Sequence, residues 1–265
     1  MPDLNHVRQP RIIAITNQKG GVGKTTTAIN LGAALAGDGR KVLLIDLDPQ
    51  GNASTGLGIG PDRRAINTYD LVLGDVNLVE AIQQTGVHNL SIIPANTDLS
   101  SADIDLISNE KRSFMLHDAL RQPAMTEHCF DYILIDCPPS LSVLTVNAMV
   151  AAHSVIVPLQ SEFFALEGLS QLMLTLRDVR QAANPGLRIE GVVMTMVDRR
   201  NNLSQQVEAD ARQTLGDLVF TTTVPRNVRL SEAPSHAVPV LAYDPNSAGS
   251  VAYRALAREL IAREK

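Results

Sequence analysis

The stretch that decides the fold reads Lys19-Gly20-Gly21-Val22-Gly23-Lys24-Thr25-Thr26, and it comes shortly after the apolar run Ile12-Ile13-Ala14-Ile15. The apolar run predicts a buried strand, and the glycines predict a turn whose backbone adopts positive φ. Residues 25–36 then carry apolar side chains at helical spacing, and Gly37 and Gly39 end that pattern. The sequence therefore predicts a strand, a glycine-rich turn and a helix, in that order.

A turn of this kind binds phosphate when its backbone N–H groups point inward and a helix begins beside the anion. The common form is G-x-x-x-x-G-K-[ST], in which the lysine meets the terminal phosphates and the hydroxyl holds Mg²⁺. Gly23, Lys24 and Thr25 match the end of this form, but Gln18 stands where its first glycine would be, and a second lysine, Lys19, follows. We expect this loop to bind a nucleotide; the alternative is a turn without a ligand.

Apolar runs typical of strands alternate with helical patterns along nearly the whole chain, which indicates a parallel sheet covered by helices. Strands are predicted at 11–16, 41–47, 90–94, 132–136, 154–158 and 188–197, with a shorter one near 219–224. Helices are predicted at about 25–36, 100–121, 142–151, 165–182, 203–215 and 247–263. The expected fold is a single-domain α/β P-loop NTPase, with a short polar lead at 1–10, the ATPase domain at 11–265, and helices on both faces of a mostly parallel sheet.

The composition of the chain narrows the range of possible functions. The chain has 265 residues, 45% of them hydrophobic, which is enough for one large α/β domain. Its net charge of −5 argues against a protein coated in positive charge, so any contact with nucleic acid must come from a local patch. No apolar run approaches the length of a membrane span, and the first 18 residues lack the apolar stretch of a signal peptide. We therefore expect a cytoplasmic protein that does not bind membranes.

The two cysteines are not expected to form a functional site. Cys129 and Cys137 flank the apolar run 130–136, which predicts a strand that holds them apart. Bridged cysteines have Cα atoms within about 7 Å of each other, so we expect no disulfide. Their spacing, without a flanking pattern of histidine ligands, also predicts no metal site.

Carboxylates follow two of the predicted strands. The run 42–45 is followed by Asp46 and Asp48, and the run 132–135 is followed by Asp136. In parallel sheets ligands bind beyond the carboxyl ends of the strands, so we expect these side chains near the phosphates. Beside phosphates, a carboxylate has a function only if it binds a cation or accepts a proton from a water molecule. The alternative is that such an aspartate only caps a helix or a turn.

Residues 19–26 match K-G-G-x-G-K-[ST]-T, and the chain thereby resembles the ParA/MinD family of deviant Walker A P-loop ATPases, most closely its chromosomal ParA (Soj-like) members. Residues 46–52 match the family motif D-x-D-P-Q-G-N, and residues 225–234 match P-R-N-V-R-L-S-E-A-P. The resemblance runs from about residue 11 to the C-terminus. It implies ATP and Mg²⁺ as cofactors and hydrolysis of ATP to ADP and phosphate.

The resemblance also implies a role for each site residue. Lys24 binds the phosphates together with the rest of the loop, and Lys19 crosses a dimer interface to the partner's nucleotide. Asp48 orients or activates the attacking water, while Asp46 supports the Mg²⁺ shell or the loop. The remaining roles are Mg²⁺ binding by Thr25 and Asp136 and contact with adenine by Pro225 and Asn227.

A DNA-binding patch is implied by the segment 198–204, which resembles the D-A-R-T-N-L-S stretch of ParA relatives. Arg200 aligns with the arginine that binds DNA there, and Arg199, Arg226 and Arg229 extend the charge. The implied partners are a second copy of the chain in the presence of ATP, non-specific double-stranded DNA of the nucleoid, and a ParB-like centromere-binding protein that stimulates hydrolysis. The alternative is that these arginines are ordinary solvated charges.

Other functions on the same scaffold remain alternatives. MinD-like ATPases end in an amphipathic membrane-targeting helix, whereas residues 251–265 have a small apolar face and are expected to pack on the domain. A P-loop metabolic ligase would need substrate residues that the sequence does not reveal, and a nitrogenase-type iron protein would need cysteines elsewhere. Only 18 residues precede Lys19, so the short chromosomal type without a helix-turn-helix region is expected. The glycine-rich stretch 48–67 is expected to be a mobile, nucleotide-sensing loop.

Overall fold

The computed structural model describes residues 9–123, 125, 128–162 and 165–264. Of the polar lead predicted at 1–10, only the last two residues fall within this part of the chain. The extent of that lead and of the ATPase domain at 11–265 therefore stays a prediction at both ends.

The core of the described chain is one seven-stranded sheet. Its strands are β1 (Arg11–Ile15), β2 (Val42–Asp46), β3 (Gln83–Gln84), β4 (Leu90–Ile93), β5 (Tyr132–Asp136), β6 (Ser154–Gln160) and β7 (Arg188–Thr195). They lie in the order β3-β4-β2-β5-β1-β6-β7, and all pair in parallel except β3, which is antiparallel at one edge. The predicted mostly parallel α/β sheet is confirmed; the two-residue edge strand β3 was not predicted.

Helices connect the strands. They are α1 (Lys24–Gly37), α2 (Asn52–Gly56), α3 (Thr68–Leu73), α4 (Leu78–Ala81), α5 (Ala102–Asp105), α6 (Met115–Leu120), α7 (Val143–Ala151), α8 (Ala165–Ala182), α9 (Asn202–Leu215), α10 (Val228–Glu232), α11 (Val240–Tyr243) and α12 (Ala248–Ala262). Short 3₁₀ turns occur at Pro61–Arg63, Thr97–Ser101, Gly216–Leu218 and Ala233–His236.

Both faces of the sheet are buried. Successive side chains of a strand point to opposite faces. In β1, Ile13 and Ile15 belong to the core under α1 and α12, whereas Ile12 and Ala14 belong to the core under α7 and α8. Because neither face meets water, the central strands need apolar residues at every position, which explains why they are continuous apolar runs in the sequence.

The structure corrects two predicted elements. Residues 100–121 do not form one helix, because the Asn109 side chain accepts the N–H of Lys111 and turns the chain between α5 and α6. The strand predicted at 219–224 is reduced to one isolated bridge, between Val219 and Val192, and a second bridge joins Pro225, just beyond it, to Val197. There the N–H groups of Thr221 and Thr222 donate to the Glu259 carboxylate of α12 and not to a neighbouring strand.

The stretch 48–67 is also more ordered than predicted. It contains α2 and a 3₁₀ turn, and the buried Arg64 guanidinium donates to the carbonyls of Ile59 and Ala95 and to the Thr55 hydroxyl. A buried charge with several acceptors is costly to release, so these contacts hold part of the stretch in place; its mobility and its nucleotide sensing stay predictions.

The cysteines, the hydropathy of the helices and the C-terminal helix bear on further expectations. Neither cysteine is in a disulfide, with Cys129 exposed and Cys137 buried. Within the described ranges, no helix has both the length and the hydropathy to cross a bilayer. The last helix, α12, packs against α1 and buries Tyr253, Leu256 and Leu260, as the small apolar face of this segment predicted.

The packing of α12 can be tested with two variants of the same helix. Leu256 is fully buried, whereas Val251 is 56% exposed. Leu256→Ala should lower the free energy of unfolding by about 2–5 kcal/mol because it leaves a cavity against α1, while Val251→Ala should change it by less than about 0.5 kcal/mol. Urea unfolding followed by circular dichroism measures both. Similar losses for the two variants would contradict this packing.

Candidate nucleotide-binding site

The glycine-rich loop joins β1 to α1 in a conformation that needs glycine at two positions. Gly21 and Gly23 have φ of 75° and 88°, which favours residues without a Cβ. Gly23 is the N-cap of α1, so the free N–H groups of the first helical turn face the loop. Gly20 does not adopt positive φ, in contrast to the prediction for all three glycines.

Neighbouring strands hold the loop in place. The Thr195 hydroxyl, at the end of β7, donates to the Val22 carbonyl at 2.8 Å. The Asn17 side chain donates to the Pro158 carbonyl of β6 at 2.8 Å and accepts the N–H of Lys19 at 3.0 Å. Both side chains are buried. Neither residue was predicted from the sequence, where the only signal was a polar side chain at the end of an apolar strand.

The two lysines of the loop point in different directions. Lys24 is buried, and its Nζ donates to the Lys19 carbonyl at 2.9 Å. Burial lowers the pKa of Lys24, and the charge of Asp136 acts in the opposite direction. The Lys19 side chain is 39% exposed and pairs with Glu162 of its own chain, with Nζ–Oε2 at 2.9 Å. Lys24 therefore faces the loop, and Lys19 faces outward.

Asp136 is a buried carboxylate beside this loop. It ends β5 and lies in register with Ile15 of β1 and Asp46 of β2. Neither of its oxygens has a hydrogen-bond partner in the described part of the chain. Burial, and secondarily the charge of Asp46, raises the pKa of Asp136 well above its usual value, whereas the nearby Thr25 hydroxyl lowers it.

An unpartnered buried carboxylate is costly unless something binds it. Its oxygens and the Thr25 hydroxyl are hard oxygen donors, which suit Mg²⁺. The described residues contain no group of three or more His, Cys, Asp or Glu side chains that could hold a metal ion. Proteins usually bind Mg²⁺ through one or two side chains together with phosphate oxygens and water. The arrangement of Thr25 and Asp136 therefore fits the predicted metal site.

Asp46 and Asp48 have different surroundings. Both oxygens of Asp46 accept hydrogen bonds: Oδ2 from the N–H and hydroxyl of Ser54, at 2.8 and 2.6 Å, and Oδ1 from the N–H of Asp48 at 3.3 Å. Burial raises the pKa of Asp46 to about 6, although these hydrogen bonds oppose the rise. Asp48 Oδ1 accepts the N–H of Gln50 at 3.0 Å. Of the two predicted roles for Asp46, this geometry favours support of the loop over a place in the Mg²⁺ shell.

The predicted base contacts lie beside the loop. A cavity of about 210 Å³ has Gly23 and Thr26 on one side and Pro225 and Asn227 on the other. The Asn227 side-chain oxygen accepts the N–H of Arg229 at 2.9 Å and caps α10, which fixes the orientation of the amide. The fold thus brings together two segments that lie far apart in the sequence, in the arrangement expected for a nucleotide with its phosphates on the loop.

Three of the four predicted DNA-binding arginines share a groove. Arg199, Arg200 and Arg226 line a groove of about 750 Å³ together with α12 and the segment 221–223. The Arg200 side chain is 92% exposed and pairs with Asp198 at 3.2 Å. Arg229 is not part of this groove lining; it pairs with Glu232 and Asp244 at 2.8 and 3.4 Å.

The groove and the cavity beside the loop share a wall. Pro225 and Arg226 line both. This wall is held to the end of β7, because the N–H of Arg226 donates to the Val197 carbonyl and the N–H of Val197 donates to the Val224 carbonyl, both at 3.1 Å. A ligand in the cavity therefore contacts the same short segment that presents Arg226 to the groove.

Comparison with known proteins finds relatives that match nearly the whole chain. The AAA domain family matches residues 10–189. The chromosome partitioning protein ParA of Caulobacter vibrioides is 58% identical over 96% of this chain and 95% of its own length. The sporulation initiation inhibitor protein Soj of Bacillus subtilis is 50% identical over 95% of this chain and 98% of its own. Among solved structures, cobyrinic acid a,c-diamide synthase of Mycobacterium smegmatis, bound to ADP and magnesium, is 40% identical, with a TM-score of 0.82 and coverage of 95% and 94%.

The central position of Lys24 gives a direct test of the site. Lys24→Ala should weaken Mg-ATP binding by more than about 100-fold, because the loss of a charge-assisted contact in a buried site costs about 3 kcal/mol. Lys41→Ala, which removes an exposed lysine next to the opposite end of β2, should leave the affinity unchanged. Isothermal titration calorimetry measures both. Unchanged affinity in Lys24→Ala would contradict the assignment of the loop.

Proposed function

This chain belongs to the ParA/Soj family of chromosome-partitioning P-loop ATPases, and from this premise we propose that it is a Mg²⁺-dependent ATPase that dimerises on ATP and binds DNA as a dimer. The dimer has no sequence preference and leaves the DNA after hydrolysis stimulated by a ParB-like protein. The observation that carries the ATPase assignment is the buried, unpartnered Asp136 carboxylate beside Thr25 and Lys24.

Phosphoryl transfer requires positioning and charge neutralisation more than covalent chemistry. The residues of the loop and the aspartates at the strand ends have separate roles in it. Backbone N–H groups of residues 20–25 bind phosphate oxygens, and Lys24 binds the terminal phosphates. Thr25 and Asp136 would hold Mg²⁺, and the ion would supply positive charge beside those phosphates. Asp48 accepts a hydrogen bond from the attacking water and orients it, while Asp46 holds the segment that carries Asp48.

Lys19 is proposed to act in the partner subunit. Its side chain is partly exposed and points away from Lys24. Because this side chain lies at the surface, it can leave its intrachain partner Glu162 and reach a second chain that faces the same edge of the sheet. In the dimer each Lys19 binds the triphosphate held by the other chain, so that two subunits enclose two nucleotides.

DNA binding is proposed for the groove lined by Arg199, Arg200 and Arg226. Contacts from arginine to phosphate need no base readout and make the affinity depend strongly on salt. Pro225 and Arg226 also line the cavity beside the loop. A nucleotide in the cavity and DNA in the groove would therefore contact the same segment. Such binding would place the protein on the nucleoid.

A second candidate function follows from one comparison. The Mycobacterium smegmatis structure, 40% identical, carries the name of a cobyrinic acid a,c-diamide synthase. A synthase of this kind would show ATP turnover that rises with a carboxylic acid substrate, whereas the partition ATPase responds to DNA and a ParB-like partner. The relatives named as partitioning proteins are more similar over nearly their whole length. We therefore favour partitioning.

The third possibility, a MinD-like ATPase on a membrane surface, is disfavoured by α12. Its large apolar side chains Tyr253, Leu256 and Leu260 are buried in the core that it shares with α1, and Val251 is its one large apolar side chain that is exposed among the described residues. Co-sedimentation with DNA or with anionic liposomes, each with and without ATP, separates the two functions. Binding to liposomes without binding to DNA would refute the partition assignment.

The arginine groove can be tested by charge reversal. Arg200→Glu should weaken ATP-dependent DNA binding by at least about tenfold and make its salt dependence shallower, because phosphate contacts are lost. Arg177→Glu is the matched control, since Arg177 is also an exposed arginine but lies on α8, on the opposite face of the sheet from α12. Fluorescence anisotropy with a DNA duplex at several salt concentrations measures both variants. Equal binding by Arg200→Glu and wild type would place the DNA site elsewhere.

A further inference from the structure

Lys19 is paired within its own chain. Its Nζ lies 2.9 Å from Oε2 of Glu162, and the two side chains are 39% and 48% exposed. Glu162 lies just after β6, 143 residues further along the sequence. The lysine that is proposed to serve a partner subunit is thus bound to a carboxylate of the chain that carries it.

Other contacts fix the position of Glu162. The second carboxylate oxygen of Glu162, Oε1, accepts a hydrogen bond from the Gln160 side chain. The backbone N–H of Glu162 donates to the Gln160 carbonyl at 2.8 Å. The hydroxyl of the intervening Ser161 is buried and hydrogen-bonded to the Ser204 hydroxyl at 2.7 Å. The carboxylate is therefore presented by an ordered turn, which makes the pair more specific than a chance meeting of two surface charges.

The backbone of Lys19 is linked to the other lysine of the loop. The Lys19 N–H donates to Asn17, and its carbonyl accepts Nζ of Lys24 at 2.9 Å. A phosphate that drew Lys24 Nζ away would take this charged donor from the Lys19 carbonyl. A nucleotide bound by Lys24 would thereby loosen one of these two backbone contacts of Lys19.

We propose that Glu162 is a positioning residue that holds Lys19 on its own chain and competes for it with the triphosphate of the partner subunit. This inference rests on the proposed role of Lys19 in the ATP dimer. A triphosphate carries several negative charges and attracts the lysine more strongly than one carboxylate does. An exposed ion pair is weak, so the exchange is reversible. Glu162 therefore raises the Kd of the ATP dimer.

Removal of the carboxylate charge tests the proposal. An exposed ion pair changes an equilibrium constant by about two- to threefold, and two pairs open for each dimer, so Glu162→Gln should lower the dimer Kd by about fivefold. Glu208→Gln is the matched control, because it also removes one partly exposed carboxylate, which pairs with Arg212 on α9, away from the loop. Analytical ultracentrifugation with a non-hydrolysable ATP analogue measures the dimer Kd of both variants and of the wild type.

A second measurement does not depend on dimerisation. Limited acetylation of the protein without nucleotide, followed by mass spectrometry, reports the reactivity of each lysine. Glu162→Gln should increase the acetylation rate of Lys19 by about two- to threefold, because the pair no longer shields the amine, and should leave Lys41 unchanged.

Each outcome has a definite meaning. An unchanged or weaker dimer in Glu162→Gln, when the wild type dimerises, overturns the competition; a weaker dimer would place Glu162 in the interface as a supporting contact. If the wild type does not dimerise with the ATP analogue, the proposed function fails. The acetylation rate of Lys19 still decides in that case whether Glu162 holds it, and an unchanged rate refutes the holding role.

Discussion

The structure depends on the parallel register of β1, β5 and β2. This register sets Ile15, Asp136 and Asp46 side by side at the carboxyl edge of the sheet. The phosphate loop follows β1 and the buried carboxylate ends β5, so one row of hydrogen-bonded strands brings the anion-binding backbone next to the oxygens that suit a cation. The surrounding strands are apolar on both faces, which keeps water away and strengthens every electrostatic interaction at this edge.

At the same edge of the sheet, the two lysines of one loop point in different directions. Lys24 lies inside the loop, where burial lowers its pKa and Asp136 opposes that change. Lys19, five residues earlier, is paired at the surface. In the proposed function, the buried Lys24 binds the nucleotide of its own chain, and the partly exposed Lys19 is exchanged between its own chain and the partner. Further along the edge, residues 225–226 form a wall common to the cavity beside the loop and to the arginine groove, which gives the proposed ATPase a short physical path from nucleotide to DNA.

Much of this arrangement was predictable from the sequence, and the exceptions have physical reasons. Strands buried on both faces are continuous apolar runs, and Gly21 and Gly23 mark a turn with positive φ, so the β1–loop–α1 unit and the parallel sheet could be predicted. The break within 100–121 depends on the single side chain of Asn109. The loss of the strand at 219–224 depends on Glu259, which lies 38 residues further along the chain than Thr221. The supports of the site, Thr195 on Val22 and Glu162 on Lys19, join residues 173 and 143 positions apart. Such contacts leave no local pattern.

The central claim is that two chains enclose ATP and that each supplies Lys19 to the other. The most direct measurement is the mass of the protein in solution at micromolar concentration, with a non-hydrolysable ATP analogue and Mg²⁺, for the wild type and for Lys19→Ala. The account predicts that the wild type shifts from 28.6 kDa to twice that mass, whereas Lys19→Ala still binds the analogue but stays monomeric. A wild type that remains monomeric when saturated with the analogue, or a Lys19→Ala variant that dimerises as well as the wild type, would contradict it.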